Sequence, residues 1–216
     1  ICNINLDLMY AIPKEKEEDL KLDLEHILSL DVPHISTYSL ILEPNTLLYM
    51  KKVKEIDQEI DAKMYDLICK TLKKNGYNHY EVSNFSKPNY ESKHNLTYWN
   101  NDEYYGFGLG ASGYVENKRY TNHSNLTKYI NKDYTRETEI ITPVLSQEYD
   151  MILGLRKLKG VSNQEFFQKY HKNIEEVFHI KSLLKEKLLV YENEFLRIPE
   201  DKIYLSNEIL INFLME

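Results

Sequence analysis

The sequence predicts an α/β fold: a parallel sheet with too few strands for a complete barrel, followed by a small helical domain. Three observations predict it. Apolar runs of strand length alternate with amphipathic stretches through residue 85, separated by short Pro- and Gly-bearing links. From about residue 123 the pattern turns helical. The 216 residues, 42% hydrophobic, can bury a core as one large domain or two small ones.

Taken in order, residues 1–12 read as a buried strand stopped by Pro13. Leu20, Leu24, Ile27 and Leu28 then recur at helical spacing, and Asp31-Val-Pro33 breaks that helix. Residues 34–42 form a second strand, ended by Glu43-Pro44-Asn45. Ile56, Ile60, Met64, Leu67, Ile68 and Leu72 share one face of a second helix, with Gly76 where its C-terminal cap falls. Residues 77–85 complete a strand, helix, strand, helix, strand order, the signature of right-handed crossovers and a parallel sheet. Beyond the domain boundary, placed near residue 140, Ser146 is the expected cap of a helix running to Gly160. Ser162-Asn-Gln-Glu165 is a capping box for the next helix, and a third spans 174–187. Two short apolar runs around Glu192-Asn-Glu194 form a hairpin, and a last helix covers 202–215, an order resembling a winged helix.

Charge and cysteine content exclude several function classes. The formal net charge is −7, and residues 143–216 carry 10 Lys or Arg against 12 Asp or Glu, so the helical tail has no footing on nucleic acid. No apolar run approaches the roughly 18 residues of a membrane span. Two cysteines, Cys2 and Cys69, far apart in sequence, predict a reducing, cytoplasmic setting and no metal site in this chain. The chain begins at Ile1 within an apolar run and reads as a piece of a longer protein.

The chemistry concentrates in two places. Asp7 interrupts an apolar strand, where a carboxylate is costly unless it binds a ligand or pairs with a cation. His94, Tyr98 and Trp99, the single tryptophan, offer an imidazole and ring faces to a flat ligand or metal, or else pack in the core. No second His lies at zinc-site spacing from His94. Four of the seven glycines follow, at 106, 108, 110 and 113. No helical pattern follows them, so close backbone approach to a ligand's sugar or base, or a bulged strand, fits better than a dinucleotide phosphate loop. No catalytic residue is identified: there is no nucleophile elbow and no P-loop.

Residues 3–13, 34–40 and 76–88 resemble segments of the oxygen-independent coproporphyrinogen III oxidases and the related HemW-type haem chaperones. His94-Asn-Leu-Thr-Tyr-Trp99 is similar to the HNxxYW motif that separates the HemW group from the oxidases. Tyr105–Ala111 and Met151–Arg156 also match that group. The resemblance implies an incomplete radical S-adenosylmethionine (SAM) (β/α) barrel over 1–140 and a helical C-terminal domain over 141–216. It further implies a 4Fe–4S cluster on a CxxxCxxC loop, SAM at the barrel mouth, and haem or porphyrin as ligand. It places Asp7 on the SAM-contacting Asp and sets Ile41 and Ser112 near a second SAM, although the residue types differ there. His94, Tyr98 and Trp99 fall on the haem-side motif. The implied function is delivery of haem to a respiratory haem-acceptor protein. The alternatives are oxidative decarboxylation of coproporphyrinogen III, or an inactive remnant. The cluster-binding cysteines are absent from this sequence, so the chain alone is expected to be inactive.

Overall fold

The computed structural model describes residues 3–215. Ile1 and Cys2, at the head of the first expected strand, and Glu216 lie outside the described residues. The chain forms two compact units, one ending at Ser92 and the other beginning at Lys93.

The first unit opens with strand β1 (Asn5–Tyr10), helix α1 (Glu17–Ser29) and strand β2 (His34–Ser39). A one-turn helix α2 (Leu47–Met50) precedes helix α3 (Gln58–Lys74) and strands β3 (Asn78–Glu81) and β4 (Asn84–Ser86). β1 and β2 pair in parallel, with Asn5 opposite His34, Asp7 opposite Ser36 and Met9 opposite Tyr38. The expected third strand is instead a hairpin. β4 runs antiparallel to both β2 and β3, giving the order β1-β2-β4-β3 and a mixed sheet rather than a parallel one. The turn has a local cause: the buried Glu81 carboxylate accepts from the Ser83 amide at 3.3 Å and from Asn84 Nδ2, so the chain folds back. Strand alternation leaves Leu8, Tyr10, Ile35 and Phe85 buried along with Leu20 and Leu24 of α1 and Met64, Ile68 and Leu72 of α3. Asp57 caps α3 by accepting from the Glu59 amide, and Gly76, at φ +86°, ends it.

The second unit begins with helix α4 (Lys93–Trp99) and a sheet of strands β5 (Ser112–Val115), β6 (Lys118–Asn122) and β7 (Thr135–Ile140), with helix α5 (Leu126–Ile130) between β6 and β7. All pairings in this sheet are antiparallel. β7 falls where helix was expected: its residues, Thr-Arg-Glu-Thr-Glu-Ile, are all exposed, so no buried face wrote an alternating pattern into the sequence. Helix α6 (Pro143–Gly154) starts at Thr142, whose hydroxyl accepts from the Leu145 amide at 3.2 Å, and not at Ser146. Pro143 at the first helical position has no N–H to lose and sets that boundary.

Strand β8 (Val161–Ser162) and helix α7 (Asn163–Tyr170) follow, with Ser162 accepting from the Glu165 amide, one half of the expected capping box. The helix expected over 174–187 is two short ones, α8 (Ile174–Val177) and α9 (Lys181–Lys185), parted by the extended backbone of Phe178. Phe178 and Ile180 are both buried, so packing overrides helical continuity there. Strands β9 (Val190–Glu192) and β10 (Phe195–Arg197) form the expected hairpin, joined by β8. The last helix is the short α10 (Ser206–Leu210) between two 3₁₀ turns. Met151, Leu155, Phe166, Ile174, Leu196 and Phe213 are fully or almost fully buried here.

Candidate functional site

In the first unit the period-two geometry of β1 puts Asn5, Asp7 and Met9 on one face, and the parallel register sets His34 and Ser36 of β2 beside the first two. Asp7 is exposed, and Asn5 Nδ2 donates to its Oδ1 at 2.7 Å. Asn5 Oδ1 in turn accepts from His34 Nδ1 at 2.6 Å and from Ser36 Oγ at 3.1 Å. His34 Nε2 lies 2.8 Å from the Tyr80 hydroxyl, which accepts from the Ser92 amide at 3.2 Å. His34 is buried, and that burial holds its imidazole below the usual value against the opposing pull of the Asp7 and Glu91 charges. The strand therefore tolerates Asp7 because the residue points to the open face and is held by an amide, not by a cation. Ile41 lies beyond the end of β2 and is 69% exposed.

In the second unit α4 spaces His94 and Tyr98 one helical turn apart, which brings the rings edge to face at 4.7 Å. Tyr98 meets Tyr104 in the same way at 4.5 Å. The His94 side chain is exposed. Trp99 is half-buried under the Arg156 guanidinium, 5.5 Å from its ring, and its indole N–H is buried with no acceptor among the described residues. The segment just after α4 is pinned. Asn101 is buried; its Oδ1 accepts from Arg119 and its Nδ2 donates to Asp150 at 2.7 Å. Asp150 also accepts from Lys169 and Tyr170, each at 2.8 Å. The Arg119 guanidinium is sandwiched between the Tyr114 and Tyr149 rings, at 4.5 and 4.1 Å. Burial, with Glu139 accepting the phenol proton, pushes Tyr149 up to about 12.

The glycine run packs as close backbone. A Cβ on Gly106 would sit 2.2 Å from the Ser112 carbonyl oxygen, and Gly108 has φ +98°. Their amides donate to the Tyr120 and Tyr129 hydroxyls, and Asn122 Nδ2 bonds both carbonyls. Ser112, at the start of β5, is exposed, pairs with Thr121 at 3.1 Å and lines a cleft of about 420 Å³ with Tyr104, Arg119 and Tyr149. Of the expected residues, then, the second unit brings His94 and Tyr98 together and leads through Tyr104 to the cleft that Ser112 lines, while Trp99 packs under Arg156 instead. Sequence reading missed Asn5, His34 and Tyr80 on one side, and Asn101 and Arg119 on the other. The i, i+2 spacing of Asn5 and Asp7 was the available signal for the first group.

No family model matches the chain. Individual proteins do. The chain is 40% identical to a heme chaperone HemW of Lactococcus lactis subsp. lactis over 99% of this chain and 59% of that protein. The chain is similar to HemW-type proteins along almost its whole length. The HemW of Bacillus subtilis is 39% identical over the same shares of each chain. A mitochondrial radical S-adenosyl methionine domain-containing protein 1 of Danio rerio is 29% identical over 99% of this chain and 53% of its own. The chain thus spans somewhat more than half the length of these HemW relatives. In fold it is similar to the coproporphyrinogen III oxidase HemN of Escherichia coli, a radical SAM enzyme. The TM-score is 0.79, with 16% identity, over 97% of this chain and 54% of that one.

Two cofactors that such a family implies can be set against the residues present. Asp7 offers an amide-oriented carboxylate on an open polar face, which suits a ligand carrying hydroxyl or ammonium donors, as SAM does. A 4Fe–4S cluster does not fit: it takes three or four thiolates, and this chain has two cysteines. Cys69 sits within α3, and no group of three or more His, Cys, Asp and Glu among the described residues could hold a metal.

Proposed function

We propose that this chain carries the haem-handling part of a HemW-like haem chaperone that delivers haem to respiratory haem proteins. The observation that carries the reading is His94. Its imidazole is exposed on the HNxxYW helix, and its ring touches Tyr98 at 4.7 Å. A neutral imidazole is a common axial ligand for haem iron, and the Tyr98 and Tyr104 rings beside it supply the apolar faces a porphyrin edge packs on. Trp99, with its indole N–H lacking an acceptor, belongs to the same haem side. Asp7 serves the SAM side. Ile41 and Ser112 are the corresponding positions for a second SAM, both exposed. We divide the chain on this reading into barrel-derived residues 1–140 and a helical domain 141–216.

The heme-chaperone names of relatives at 39–40% identity support this over the oxidase alternative, which rests on likeness of fold. Titrating haem into the 216-residue chain tests it. Wild type is expected to develop a sharpened Soret band of ligated haem, and His94→Ala to weaken binding about tenfold with an altered spectrum. Identical affinity and spectrum for both proteins remove His94 from the site. Turnover of coproporphyrinogen III by a cluster-loaded, full-length relative with the same motif, with no haem bound, would favour the oxidase reading.

A further inference from the structure

The Asp7 carboxylate is oriented by a single amide, and that amide is one that could face either way. Asn5 presents an acceptor at one end and a donor at the other, of nearly equal size. Turned one way, Nδ2 donates to Asp7 at 2.7 Å, as observed. Turned the other way, Oδ1 would lie against a carboxylate, two acceptors in repulsion. What selects the orientation is on the neighbouring strand. His34 Nδ1 at 2.6 Å and Ser36 Oγ at 3.1 Å both converge on Asn5 Oδ1. An amide oxygen can only accept, so the imidazole proton facing Asn5 Oδ1 sits on Nδ1. Nε2 is then the lone-pair nitrogen and accepts from the Tyr80 hydroxyl at 2.8 Å, whose oxygen accepts from the Ser92 amide. With His34 neutral and its proton on Nδ1, both ring nitrogens are matched to their neighbours.

We propose that His34, acting through Asn5, is a positioning residue for the Asp7 carboxylate: it decides which end of the Asn5 amide faces Asp7 and so keeps that carboxylate presented to its ligand. The inference rests on the reading of Asp7 as a SAM-side residue, and on nothing in the haem-side helix. Charged groups near His34 are Asp7 on β1 and Glu91 in the segment after β4, while Tyr80 on β3 is its neutral partner.

The test combines ¹⁵N-resolved imidazole spectra of the intact chain with calorimetric binding of SAM to wild type, His34→Ala, His34→Gln, Asn5→Ala and Asp7→Asn. The spectra are expected to show His34 neutral at pH 7 with its proton on Nδ1, and Asp7→Asn to move its titration further down. His34→Ala should bind SAM about fivefold more weakly, the loss expected of one hydrogen-bonded orientation. His34→Gln should stay within about twofold of wild type, because its amide can donate to Asn5 and accept from Tyr80. Should His34→Ala fail to fold, the exposed Asn5→Ala breaks the same link and should show the same loss. A proton on Nε2 overturns the proposal, as does full SAM affinity in His34→Ala and Asn5→Ala when Asp7→Asn is weakened. If Asp7→Asn binds like wild type, the SAM reading of Asp7 fails instead. The spectra then decide the network alone: an Nδ1 proton and a lowered titration in Asp7→Asn support it, and their absence removes it.

Discussion

At the scale of single residues, two glycines in one loop are required for different physical reasons. Gly106 has no room: an added Cβ would press on the Ser112 backbone, which cannot swing aside as a side chain could. Gly108 has open space but a φ of +98°, which L side chains rarely adopt. Gly106→Ala should therefore cost about 2–4 kcal/mol of second-unit stability, and Gly108→Ala about 1–2 kcal/mol, read from urea unfolding curves. Equal costs would mean that crowding does not act at Gly106. The sequence announced this loop by glycine density alone, but the close approach it makes is to the chain's own Ser112 backbone and not to the ligand sugar or base expected there. It did not announce Asn101 and Arg119. An Asn in a left-handed turn at φ +58° and an Arg between two tyrosine rings acquire their roles only when strands bring them together. The same holds for His34, which reads as one more polar residue in a strand until the parallel register places it opposite Asn5.

Elements were legible where they bury a continuous apolar stripe. β1, α1 and α3 each carry one and form within a few residues of their expected spans, whereas β2, near its own expected span, buries the polar His34, Ser36 and Thr37 beside Ile35. β7 carries none, and the hairpin β3–β4 owes its turn to a buried carboxylate that no periodicity reports. Caps are decided by geometry of the same kind. Thr142→Ala, which removes the acceptor for the Leu145 amide, should destabilise α6 by about 1 kcal/mol. Ser162→Ala should cost about 1–2 kcal/mol, since the hydroxyl also donates to Glu194 at 2.8 Å. Differential scanning calorimetry of both variants checks the order. The first unit's sheet adds a pH dependence. His34 takes up a proton less readily folded than unfolded, where its ordinary value is 6.5. As pH falls below that value the unfolded chain gains the proton first, so stability drops until the folded-state value is passed and then levels off. His34→Gln should flatten that part of the stability profile between pH 7 and 5. A profile unchanged by the substitution would place the titration elsewhere.

Across the whole molecule, the charge and hydropathy of the chain set what it can bind before any site is considered. A net charge of −7 repels polyanions, and no helix among the described residues is long and apolar enough to cross a membrane. The cluster is the sharper case. Likeness to radical SAM proteins implies it, yet the thiolate count forbids it in these 216 residues: two cysteines cannot supply a three-thiolate site, and Cys69 is committed to the α3 face near Tyr65. Haem ligation asks for far less, one accessible imidazole and apolar ring faces, which the proposed reading assigns to His94 and Tyr98 of one helix. The two capacities therefore separate cleanly in experiment. Anaerobic incubation of the chain with ferrous iron and sulfide should leave it, after desalting, without the broad visible absorbance and bound iron of a 4Fe–4S protein. The same preparation should still bind haem. Stoichiometric retention of four irons per chain would show that ligands outside the family's cysteine loop can assemble a cluster. Loss of haem binding in a folded, cluster-free chain would place the haem site on residues this chain does not contain, and His94 would then be a surface residue of the HNxxYW helix and nothing more.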